Sequence, residues 1–153
     1  MSTGLYNLWG ISVLNDKEIL LTQRKGNVFK LNIFNKNIKK IKGVPKVVNF
    51  GQGGLLDIAI EDINKNKKVY LCLSDKVNTT KSATAVHSYD LKNNILLNKK
   101  LLFKSNKPSN SSRHFGCRLA IKGQFIFATI GDRGSRHDAQ NFANHSGSVI
   151  KIK

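Results

Sequence analysis

Short apolar runs recur about every 8 to 15 residues along the chain, separated by Asn, Asp, Gly and Lys, and no long stretch carries a helical period. The pattern predicts an all-β protein. A first set of strands is expected over Leu8 to Leu14, Glu18 to Gln23, Val28 to Ile33 and Ile38 to Ile41, with turns at Asn15-Asp16, Lys25-Gly26-Asn27 and Asn35-Lys36. After a linker from Gly43 to Gly53, a second set is expected over Leu55 to Ile60, Lys68 to Leu73, Ala83 to Leu91 and Ile95 to Phe103, turning through Asp62 to Lys67 and at Asn93-Asn94. A polar loop from Lys104 to Arg113 leads to a third set: Cys117 to Ile121, Gln124 to Ile130 and, beyond an irregular stretch from Gly131 to Gly147, Ser148 to Lys153.

Four-stranded units repeated at roughly 45 to 60 residues are what the blades of a β-propeller look like in sequence. The pattern therefore predicts a propeller arc of four-stranded antiparallel blades, two complete and most of a third, over about 8–42, 54–103 and 117–153. Propellers have about 4 to 8 blades, so 153 residues read as one partial propeller domain, the front of a larger ring, with Trp9, Leu56 and Leu119 in or near successive innermost strands. The same length also permits a complete barrel or sandwich of about eleven strands, and periodicity leaves both open.

Composition narrows the class. With 40% hydrophobic and 23% charged residues the chain is globular, without the apolar run a membrane helix needs, and Met1 to Trp9 lacks the features of a secretory signal. The net charge of +17 first suggests a polyanion partner, but its make-up points elsewhere: 21 Lys stand against 5 Arg, beside 17 Asn, and the Lys gather at turns (Lys36, Lys39, Lys40, Lys42; Lys65, Lys67, Lys68; Lys99, Lys100). Nucleic-acid sites favour Arg forks and interleaved aromatics, so the charge reads as a solvated surface with at most weak, salt-sensitive polyanion binding and no specific nucleic acid. Cys72 and Cys117 have no second cysteine near either. They read as buried free thiols in apolar strands, since a disulfide needs an oxidising compartment and a geometry that spacing does not give.

Candidate chemistry is sparse. Gly51-Gln52-Gly53-Gly54 superficially resembles a phosphate loop, but the lysine and hydroxyl of a Walker motif are absent and a strand follows. The run reads as a crossing where backbones pass closely, with Gln52 either bracing the loop or aimed into a cavity. Of the histidines, His87 and His137 read as surface residues and His145 as a brace for the last strand. His114 differs: it stands before Phe115-Gly116 at the start of a first strand, where an imidazole is placed either to cap the strand or to act as a general base at a channel mouth.

Several blocks occur together and in order: Leu8-Trp9-Gly10; Gly43-Val44-Pro45 followed by Gly51 to Asp57; Lys68-Val69-Tyr70-Leu71; Arg113-His114-Phe115-Gly116-Cys117-Arg118-Leu119; and Ile130-Gly131-Asp132-Arg133-Gly134 with Ala139-Gln140, Asn144-His145 and Gly147. In these blocks the chain resembles the PQQ-dependent aldose sugar dehydrogenases of the glucose/sorbosone dehydrogenase group, which are six-bladed propellers. The resemblance implies oxidation of an aldose at its anomeric carbon, with PQQ and calcium as cofactors, an external electron acceptor and a periplasmic or secreted location. It implies that His114 is the catalytic base, that a hydride passes to PQQ, and that Gln52 reaches cofactor and substrate.

Arg113, a candidate cofactor- or substrate-binding residue, stands where soluble glucose dehydrogenases have an acidic residue, which points to the aldose sugar dehydrogenase branch. Cys117 replaces a small Gly or Ser, and Ser146 and Ser148 replace the Leu and Lys usual around Gly147. The later Arg-Asn pair, the basic PQQ clamp and the calcium ligands of the family fall outside this chain, so no metal ligand is expected within it. By itself the chain is expected to be inactive, completed by blades on a separate chain, or else a non-catalytic interaction module or inactive gene fragment.

Overall fold

Among the described residues eleven strands form where apolar residues alternate or run together, and they stop where Asn, Asp, Gly and Lys supply turn conformations. The computed structural model describes residues 5–63 and 66–153, so the part of the expected second-set turn at Asn64 and Lys65 lies outside the described residues. The strands are β1 (Leu8–Asn15), β2 (Glu18–Gln23), β3 (Asn27–Asn32), β4 (Ile38–Ile41), β5 (Leu55–Ile63), β6 (Asn66–Lys76), β7 (Ser82–Lys92), β8 (Ile95–Lys104), β9 (Gly116–Lys122), β10 (Phe125–Ile130) and β11 (Val149–Ile152). The turn between β7 and β8 shows the local cause plainly: Asn93 and Asn94 take φ of 51° and 62°, the pair of positive values a two-residue hairpin turn of matching twist requires. The irregular stretch before β11 contains a single 3-10 turn, Asp138–Gln140, which the pattern did not predict.

The strands form antiparallel meanders ordered β1-β2-β3-β4, β5-β6-β7-β8 and β9-β10-β11. This is the arc of blades that the repeat predicts, and a closed barrel or two-sheet sandwich does not describe it. Each sheet packs its face on the next. In β6, Val69, Leu71 and Leu73 enter one core with Leu14, Leu20, Val28 and Ile41 of the first sheet, while Tyr70 and Cys72 enter a second core with Phe115, Cys117, Ile126 and Ala128 of the third. The middle sheet is therefore covered on both faces, and residues 69–74 are buried without interruption. The outer faces stay open: Ile11 and Val13 on β1 are 62% and 69% exposed, and Val149 on β11 is 66% exposed.

The first strands of the three sheets are stitched by buried polar groups. The Thr22 hydroxyl accepts the Gly10 N–H (2.7 Å) and donates to the Leu56 carbonyl (2.7 Å), tying β1 and β2 to β5. The Asp57 carboxylate accepts the Leu119 N–H (2.8 Å) and an Arg118 N–H (3.2 Å), tying β5 to β9. The Thr22 bonds are made where water is excluded, and together with the half-buried Asp57 bonds they fix the relative height of the blades as well as their contact. Trp9, Leu56 and Leu119 thus lie on adjacent innermost strands.

Two expectations are corrected. Cys72 and Cys117 are not free thiols: they form a disulfide, with Cα atoms 5.6 Å apart, joining β6 of the second sheet to β9 of the third. His87 is not a surface residue but lies 1% exposed on β7, because the strand is covered on both sides. Its Nδ1 is 3.3 Å from the Tyr89 hydroxyl, and its Nε2 is 3.9 Å from an Asp75 carboxylate already paired with Lys104 at 3.0 Å.

Burial first, then the positive charges of Lys99 and Lys104, outweigh Asp75 and push the His87 imidazole down from 6.5 to about 4. Between those values the unfolded chain binds the proton and the folded one does not, so stability is complete above about pH 6.5 and is lost as pH falls toward 4. The loss from this one group amounts to about 3 kcal/mol. In His87→Gln, urea midpoints compared at pH 7 and pH 4 are expected to lose most of that difference; an unchanged acid slope would refute the assignment.

Candidate active site

Three loops meet where β1, β5 and β9 begin: the glycine run before β5, the loop from Ser105 to Phe115 before β9, and the loop after β10. Backbone hydrogen bonds hold these starts together: Arg24 donates to the Asn7 carbonyl (3.1 Å), Leu55 to Arg24 (2.9 Å), and Arg133 to His114 (3.1 Å). The Gly51–Gly54 run is a close crossing of backbones. A Cβ on Gly51, whose φ is 56°, would collide with the Ser112 carbonyl oxygen, and a Cβ on Gly53 would stand 2.6 Å from the Phe115 ring. Only hydrogen fits at either place.

The crossing puts Gln52 against His114. The Gln52 amide oxygen accepts the His114 backbone N–H (2.8 Å), and the Gln52 backbone N–H donates to the Ser112 carbonyl (2.7 Å). His114 itself takes φ of 54°, a left-handed conformation unusual for a side-chain-bearing residue and sustained only where neighbours over-determine it. Its ring is half exposed, and Nδ1 lies 2.8 Å from an oxygen of Asp132.

Asp132 has no assigned role in the sequence reading, although it stands in one of the matching blocks, between glycines. The same oxygen accepts the Gly134 N–H at 2.8 Å. That N–H, followed by the His114 ring, holds the Asp132 carboxyl below the usual carboxylate range, so it is ionised at neutral pH. An ionised carboxylate only accepts, so the His114 Nδ1 carries the proton, and in the neutral imidazole the lone pair is on Nε2. A histidine so oriented can take a proton from a hydroxyl.

Arg113 is exposed and lies along Gly134, its Nε 2.9 Å from where a Cβ would stand. Gln52, Arg113 and His114 therefore come together at one end of the arc. His145, which leads toward β11, exchanges hydrogen bonds with Asn106 (3.2 and 3.1 Å) in the loop after β8 and sits 5.0 Å from the Phe103 ring. His137 lies apart, exposed at the start of the 3-10 turn. An open groove of about 590 Å³ runs alongside, lined among others by Phe50, Lys76, Lys81, Ser109 and Ser111. Among the described residues no three His, Cys, Asp or Glu gather as a metal site, and no helix is long and apolar enough to cross a membrane.

The family model described as Glucose / Sorbosone dehydrogenase matches residues 5–153. The chain belongs to the glucose/sorbosone dehydrogenase family. Among curated proteins it is similar to the aldose sugar dehydrogenase YliI of Escherichia coli (strain K12), 26% identical over 149 residues that cover 94% of this chain and 40% of that one. A solved glucose dehydrogenase superposes with a TM-score of 0.90 at 29% identity, over 98% of this chain and 48% of the other. The PQQ-bound form of an aldose sugar dehydrogenase from Streptomyces coelicolor shares the fold, with a TM-score of 0.80 at 22% identity over 98% of this chain and 45% of that one. The chain thus spans less than half the length of these relatives of the glucose/sorbosone dehydrogenase family.

Proposed function

We propose that residues 1–153 are one partial propeller domain of a PQQ-dependent dehydrogenase that oxidises the anomeric carbon of an aldose. The observation that carries this is the His114–Asp132 contact at 2.8 Å beside Gln52, in a family whose relatives are named as sugar dehydrogenases. In this reading His114 Nε2 takes the proton of the anomeric hydroxyl, Asp132 keeps the opposite nitrogen protonated and stabilises the imidazolium, and Gln52 fixes the main chain of the base. Bound PQQ supplies the hydride acceptor, which no side chain can.

The exposed donors fit an acidic quinone in part: Gln52 and Arg113 would hold it beside His114, and an Arg113 guanidinium is suited to a carboxylate. For calcium the described residues offer no cluster of acids, so calcium is assigned no site on these residues. The buried disulfide supports a periplasmic or secreted location, where such bonds persist.

The test is turnover. The complete protein containing these blades, given PQQ, aldoses and an artificial electron acceptor, is expected to reduce the acceptor in a PQQ-dependent way, whereas residues 1–153 alone are expected to give none. Absence of PQQ-dependent oxidation by the complete protein across a panel of aldoses would overturn the reading in favour of a non-catalytic module.

A further inference from the structure

Arg133 is 8% exposed, and among the described residues no carboxylate pairs with it. Its Nε has no hydrogen-bond partner. Burying a guanidinium without a counter-ion is costly, and the desolvation draws its pKa down to about 10. A methionine of similar length would fill the space without that cost. The contacts the residue makes indicate what the charge is kept for.

The guanidinium centre lies 3.6 Å over the Phe115 ring, and its nitrogens donate to the Ser111 carbonyl (2.5 Å) and to the Ser82 carbonyl and hydroxyl (both 3.4 Å). Ser111 and Phe115 bracket His114. The Arg133 backbone N–H donates to the His114 carbonyl (3.1 Å), and its neighbour Asp132 holds the His114 ring. One dipeptide therefore grips the histidine by ring and carbonyl, and grips the turn on both sides of it. A planar, fork-shaped cation can stack on an aromatic face and donate to two separated carbonyls at once, which an ammonium cannot.

We propose that Arg133 is a positioning residue that locks the Ser111–Phe115 turn, and with it the left-handed backbone of His114, in the arrangement that turns Nδ1 toward Asp132. The proposal rests on the reading of His114 as the base. Arg133 acts through His114 and, being buried beneath Phe115, does not itself meet substrate.

The tautomer of His114 tests it without any turnover. In the protein labelled with 15N at histidine and held above neutral pH, with the resonance assigned by comparison with His114→Gln, His114 is expected to populate mainly the Nδ1–H form. In Arg133→Met and Arg133→Lys the ratio of Nδ1–H to Nε2–H is expected to fall at least threefold, while the His87 signals and the cooperativity of unfolding stay as in the parent. A folded Arg133→Met that keeps the parent ratio overturns the proposal. If neither variant folds, Arg133 is a structural residue only and the proposal is likewise overturned. A shifted tautomer in a protein whose complete form oxidises no sugar would retain Arg133 as the positioning residue and reject the dehydrogenase reading; an active enzyme with an unmoved tautomer would do the reverse.

Discussion

Replacing Cys72 and Cys117 together by alanine is expected to destabilise the chain by about 4 kcal/mol. The bond closes a loop across a sequence separation of 45. Tying two points that far apart removes much of the freedom of the unfolded chain, and the loss grows only slowly with loop length, so the figure depends little on where the loop is counted from. The two half-cystines are completely buried, in the core shared by the second and third sheets. The native state therefore loses packing as well, although alanine leaves no unsatisfied hydroxyl there as serine would. For a chain of this size the change corresponds to a fall in Tm of roughly 8 to 16 °C. Urea unfolding of the parent with and without a thiol reductant, and of the double variant, measures it; a double variant within about 1 kcal/mol of the oxidised parent would show that the cross-link adds little to the packing around it.

All eleven strands were legible in the sequence because their signals are local. Apolar alternation places β1 and β9, and the turn residues at Asn15-Asp16, Asn93-Asn94 and Lys122-Gly123 mark where chains reverse. What escaped depends on how sheets stack. Ala83 to Leu91 contains small, polar and aromatic residues on both faces, and only the covering of both faces by neighbouring sheets makes His87 a core residue. The disulfide escaped for the same reason: β6 and β9 are not hydrogen-bonded neighbours and meet only because one sheet lies on the next.

The site was half legible. Gln52 and His114 both precede first strands, and first strands begin at one end of a propeller, so the juxtaposition follows from topology. Asp132 lies 18 residues beyond His114 in a loop without regular structure. The available signal was its place in Ile130-Gly131-Asp132-Arg133-Gly134, where a Cβ on Gly131 would collide with the His114 carbonyl oxygen. A glycine forced by contact with the His114 loop marks its neighbours as residues of that loop's surroundings.

On the proposed reading, His114→Gln in the complete protein is expected to lower kcat by about 100- to 10,000-fold with little change in KM. Glutamine can still donate toward Asp132, but it cannot accept a proton at neutral pH. The loss therefore falls on the step that moves the proton and not on binding. Asp132→Asn is expected to lose less: the imidazole remains, but the amide offers both a donor and an acceptor to Nδ1, so part of the population carries its proton on Nε2 and is blocked as a base. Because the two side chains act as one unit, the double variant is expected to be no slower than His114→Gln alone. Asp132 is held below the usual carboxylate range by the Gly134 N–H and the His114 ring, so it stays ionised through the neutral range and remains an acceptor for the Nδ1 proton there. Retention of more than a tenth of kcat by His114→Gln would remove the histidine from the chemistry and leave the 2.8 Å contact as a loop brace.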